Sequence, residues 1–124
     1  MKYLAIHCIL TLLTSLAGCQ EKREFRSVDA DTLAQEITNP AVQLIDVRTA
    51  AEYAEGHIPG AALMDVGEES FEAKIQTLDK SRPVALYCRS GRRSKAAAER
   101  VVKAGYEVVE LDGGILSWEG AVER

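Results

Sequence analysis

Three short, mostly apolar runs, residues 42–47, 83–87 and 108–111, alternate with segments of helical period, and this alternation most limits what the chain can fold into. Runs of this length suit strands buried on both faces. Between them, Asp29 is placed to cap a helix through Ile37, with Leu33 and Ile37 at i and i+4. Asn39-Pro40 breaks that helix. Residues 49–55 predict a short helix stopped by Gly56, and residues 68–78 a third, with Phe71, Ile75 and Leu78 on one face. A fourth is expected over 94–104, with Ser94 at its start and Gly105 at its end, and a brief one around 116–119. Residues 25–28 and 61–64 add two short strands. Strands alternating with helices predict an α/β fold, a parallel sheet of about five strands joined by right-handed crossovers. Ligands of such sheets bind beyond the carboxyl ends of the strands, where Asp46, Cys88 and Asp112 all fall.

The chain has 124 residues, room for one domain. Its start reads as export signal and not as fold. Met1-Lys2-Tyr3 is followed by an apolar stretch, residues 4–16, too short to span a bilayer as a helix, which needs ~20 apolar residues. Leu16-Ala17-Gly18-Cys19 then resembles the lipobox of bacterial lipoproteins, in which the cysteine is lipidated. The expected organisation is a signal peptide over 1–18, a lipidated Cys19 with a charged linker over 19–24, and one domain over 25–124. That places the domain at the bacterial cell envelope, anchored to a membrane through Cys19 and facing the periplasm. Lys+Arg number 15 against 19 acids, and removing 1–18 takes away one more cation, Lys2. A small net-acidic domain is a poor nucleic-acid binder. Of three cysteines, Cys8 would be removed and Cys19 acylated, leaving Cys88 as the free thiol. A dithiol relay therefore has no second partner.

Cys88 follows Pro83-Val84-Ala85-Leu86-Tyr87 and precedes Arg89-Ser90-Gly91-Arg92-Arg93-Ser94. A thiol between a strand end and a helix start meets unpartnered backbone N–H groups and roughly half a positive charge from the helix dipole. Three arginines within five residues add full charges. All of these favour the thiolate, the nucleophilic form.

Two motifs taken together resemble a single-domain rhodanese. The first is Asp46-Val47-Arg48, Glu52-Tyr53 and Gly56-His57-Ile58-Pro59-Gly60-Ala61; the second is the Cys88 loop, followed by Leu111-Asp112-Gly113-Gly114-Ile115 and Trp118. The resemblance runs over about 28–120 and implies a rhodanese-like central parallel sheet with helices on both faces. It further implies a sulfurtransferase in which Cys88 takes the outer sulfur of thiosulfate as a persulfide and passes it to cyanide or a thiol. Arg89, Ser90, Gly91, Arg92 and Arg93 would then bind the anionic donor, with no cofactor and no metal. Related phosphatases carry arginine six residues after the cysteine; here that position is Ser94, which favours sulfur over phosphate or arsenate. The alternative function is a carrier or sensor at the cell envelope that holds persulfide without turnover. The protein acceptor is left open.

The remaining residues have supporting roles. Asp46 and Arg48 are expected to form an ion pair at the base of the site, and Glu52 to orient a loop arginine. His57 braces its turn, since an ionised thiol needs no separate base. Gly113-Gly114 lets the last turn pass close to the Cys88 loop, and Trp118 belongs to the core.

Overall fold

The computed structural model describes residues 24–124, so the signal peptide expected over 1–18 and the lipidation expected at Cys19 lie outside the described residues. In chain order the elements are β1 (Arg26–Val28), α1 (Ala30–Glu36), β2 (Gln43–Asp46), α2 (Ala50–Glu55), β3 (Ala62–Leu63), α3 (Phe71–Ile75), β4 (Val84–Tyr87), α4 (Arg92–Lys103) and β5 (Val108–Leu111). A 3-10 turn, Gly114–Ser117, follows. The strands form one sheet in the order β1-β5-β4-β2-β3, and every neighbouring pair is parallel. Their carboxyl ends therefore share one edge.

Alternation along the strands builds two cores. Ile45, Val47, Val84, Leu86, Cys88 and Val108 face one side and pack with Phe71 and Ile75 of α3 and Ala97, Ala98 and Val101 of α4. Leu44, Ala85, Tyr87, Val109 and Leu111 face the other, with Leu33 of α1, Ile58 and Ala61. With both faces covered, β4 is buried at all four positions. Asp29 caps α1, its carboxylate accepting the Thr32 N–H at 2.8 Å. Thr49 and Glu52 form a reciprocal capping box on α2.

Three elements depart from the periodicity by two residues or more at a boundary. The expected helix over 68–78 contracts to Phe71–Ile75. The Tyr106 hydroxyl donates to the carbonyls of Ile75 (2.7 Å) and Leu78 (3.1 Å), and the chain closes there in a tight turn, the Leu78 N–H reaching Ile75 O. α4 begins at Arg92, before Ser94, because Gly91 at φ 102 makes the left-handed entry that lets the helix start earlier. Ser94 lies inside the helix, buried. The short helix expected around 116–119 is the 3-10 turn over Gly114–Ser117, drawn back toward the Cys88 loop by hydrogen bonds from the Ile115 and Leu116 N–H groups.

Candidate active site

β4 delivers Cys88 to the carboxyl edge of the sheet, and the loop then curls so that its own amides surround the sulfur. Cys88 Sγ accepts the Gly91 N–H at 3.1 Å and the Ser94 N–H at 3.3 Å, and lies 3.4 Å from Ser94 Oγ. Burial is complete and pushes the thiol up. The Ser94 hydroxyl and the amides of Ser94, Gly91 and Ser90 push it down, and together they prevail, so the thiol ionises below its ordinary range. Thiolate is present above that lowered value and is lost as the pH falls through it.

The loop is clamped from behind by the last turn. Ile115 N–H donates to Cys88 O at 2.9 Å, and Leu116 N–H to Arg89 O at 3.1 Å. A Cβ at Gly114 would stand 2.3 Å from Arg89 O and 2.7 Å from Cys88 O, so only glycine allows this approach.

The arginines divide. Arg93 is held by Glu52 through two parallel bonds of 2.8 and 2.9 Å. Its guanidinium holds the Glu52 carboxyl at about 2, so the pair persists until the pH falls that far. Arg89 and Ser90 are exposed on the loop, and Arg92 is exposed at the first position of α4. Among the described residues neither Arg89 nor Arg92 joins an ion pair.

One strand over, Asp46 pairs in register with Tyr87, the residue before Cys88. Asp46 is fully buried and takes the Arg48 guanidinium at 2.6 to 3.0 Å, while Arg48 Nη2 also donates to Gly56 O at 2.7 Å. The pair thus ties the end of β2 to the Gly56-His57 turn and stands as a brace. The His57 ring stacks on Tyr53 at 3.7 Å, and its backbone pairs with Glu123. Trp118 packs, half-buried, against the second core.

Sequence reasoning passed over Glu110, Lys95 and the hydroxyl of Ser94. Glu110 is completely buried in β5 and accepts hydrogen bonds from Ser27 Oγ (2.5 Å) and Ser94 Oγ (2.6 Å). Lys95 stands 3.4 Å from it and 2.8 Å from Asp112. A charge inside Val108-Val109-Glu110-Leu111 was the available signal, since an unpaired acid is almost never fully buried.

The rhodanese-like domain matches residues 29–121 of this sequence. The chain belongs to that family. A protein named sulfurtransferase from Allochromatium vinosum is 37% identical over 93 residues, covering 73% of this chain and 85% of the relative. The thiosulfate sulfurtransferase GlpE of Shewanella oneidensis is 31% identical over 98 residues, covering 78% of this chain and 95% of the relative. The crystal structure of a rhodanese-related protein from Thermoplasma volcanium superimposes with a TM-score of 0.72 at 29% identity, covering 80% of this chain and 98% of that one. As a rhodanese-like domain the chain has the α/β architecture expected of it, with five parallel strands and helices around them.

Proposed function

We propose that this rhodanese-like domain is a sulfurtransferase that moves the outer sulfur of thiosulfate to a thiophilic acceptor through a persulfide on Cys88. The supporting observation is the sulfur seated on the Gly91 and Ser94 amides, a cradle suited to a thiolate and then to a persulfide anion. The Cys88 thiolate attacks the outer sulfur of thiosulfate, the sulfur–sulfur bond of the donor breaks, and sulfite leaves with the electron pair. A nucleophile such as cyanide or a thiol then attacks that outer sulfur, and the Cys88 thiolate leaves. No oxidant enters. Relatives bearing sulfurtransferase names support the reaction class, and the exposed Arg89 and Arg92 support a dianionic donor. Ser94, six residues after the thiol, offers no guanidinium for a phosphoryl group.

The complete burial of Cys88 also favours a second reading, a carrier that shelters a persulfide for a partner without turnover. Steady-state assay with thiosulfate and cyanide separates the two: sustained turnover supports the enzyme, and a single uptake of sulfur supports the carrier.

Arg89→Ala and Arg92→Ala are expected to raise the KM for thiosulfate about tenfold or more each, since a charge-assisted hydrogen bond contributes ~1.5–3 kcal/mol. Added salt should partly mimic both, because exposed charges are screened. Unchanged thiosulfate kinetics in both variants would assign the loop's charge to another ligand.

The proposal includes location. Cys19 would carry acyl chains and hold the domain at the cell envelope, each buried CH₂ adding ~0.8 kcal/mol of membrane affinity. Fractionation with labelled fatty acid should find wild type labelled and in the membrane, and Cys19→Ala unlabelled with its Cys88 chemistry intact. A wild-type protein that is unlabelled and soluble overturns the anchor.

A further inference from the structure

Behind the nucleophile lies a buried acid that the sulfur-transfer steps do not use. Ser94 has one hydroxyl proton and two neighbours that compete for it: Glu110 Oε2 at 2.6 Å and Cys88 Sγ at 3.4 Å. In the shorter contact Ser94 Oγ donates to Glu110 Oε2, so the Ser94 proton lies toward the acid. Ser94 then meets the Cys88 thiol with a lone pair, and its hydroxyl can favour the thiolate only by turning its O–H away from Glu110. The charges around this chain come from three elements. Arg93 and Lys95 stand on α4, Glu110 on β5 and Asp112 just after it; Glu52 of α2 engages Arg93, and β1 contributes the neutral Ser27.

We propose that Glu110 is a positioning residue for Cys88: by claiming the Ser94 proton it restrains formation of the thiolate and keeps the sulfur less acidic than its amide cradle alone would make it. This rests on the reading of Cys88 as the nucleophile. When the thiol ionises, its proton leaves to water and the sulfur keeps the electron pair. Ser94 then turns its O–H from Glu110 to sulfur, and Glu110 retains Ser27 and Lys95. The gain is chemical, since at a given thiolate fraction a less acidic thiol is the stronger nucleophile. A glutamine at 110 changes the balance. Its amide N–H can donate to Ser94 Oγ, releasing the hydroxyl proton to the sulfur, and a like charge two hydrogen bonds away is removed.

The test is the pH dependence of Cys88 alkylation by iodoacetamide in the full chain, followed by mass spectrometry of the Cys88 peptide. Glu110→Gln should lower the midpoint by about one pH unit. In a Ser94→Ala background the same substitution should shift it by less than half as much, because the hydroxyl that carries the effect is gone. Should Glu110→Gln fail to fold, Ser27→Ala at the sheet edge tests the same chain: with one donor lost, Glu110 grips Ser94 harder and the midpoint rises. A Glu110→Gln midpoint that stays or rises, an equal shift with and without Ser94, or, in the fallback, a Ser27→Ala midpoint that does not rise overturns the proposal. Iodoacetamide needs no sulfur donor, so a chain that failed to use thiosulfate would still report on Glu110.

Discussion

Cys88→Ser is expected to abolish sulfur transfer while leaving the fold in place. Serine is nearly isosteric and can still accept the Gly91 and Ser94 N–H groups, so the loop keeps its curl. It cannot form a persulfide. Mass spectrometry after thiosulfate treatment should show one added sulfur on the Cys88 peptide of wild type and none in the variant. Thiosulfate:cyanide turnover in the variant should fall to background. If the variant transferred sulfur as well as wild type, the nucleophile would lie elsewhere and the proposed mechanism would fail with it.

Asp46→Ala should produce the largest loss of stability. The side chain of Arg48 is 6% exposed, and Asp46 is its only carboxylate partner among the described residues. Truncating Asp46 leaves a buried guanidinium with Gly56 O and little else, a situation that costs about 3–5 kcal/mol. Native domains have only about 5–15 kcal/mol in hand, so a large part of the margin goes. Replacing both partners, as Asp46→Leu with Arg48→Met, should cost less than the single truncation, because no unpaired charge remains. Urea denaturation of the three proteins checks the order. A single truncation that loses under about 1 kcal/mol would show that water reaches Arg48 and that the pair is no buried brace.

Much of the frame was legible because it rests on short-range chemistry. Alternating strand and helix periods, Asp29 as a cap and Gly56 as a stop are local signals, and each element they predicted is present. Where prediction and structure part, a distant partner intervenes. The Tyr106 hydroxyl, supplied from beyond α4, takes the Ile75 and Leu78 carbonyls where the predicted helix over 68–78 breaks off. Ser94 looked like a helix start because serine favours that place, but its hydroxyl is committed to Glu110 across the sheet.

The site divides in the same way. Cys88, its arginine-rich loop and its place after an apolar strand are contiguous in sequence, so a thiol beside free amides and positive charge follows from the chain alone. Which arginine stays free does not. Arg92 and Arg93 are adjacent and chemically identical, and only the fold, by bringing Glu52 of α2 to the start of α4, takes one and leaves the other exposed. Glu110 was legible as an anomaly, a charge in an apolar run, but its purpose was not. Parallel pairing with β1 brings Ser27 beside it, α4 lays Ser94 and Lys95 over it, and hydrogen bonds form between residues far apart in sequence. Composition and local pattern determined that the chain would build a parallel sheet with a thiolate-stabilising loop at its edge. Tertiary packing decided which proton donors and charges that thiol meets, because hydrogen bonds and charge pairs act over a few ångströms of space and not along the sequence.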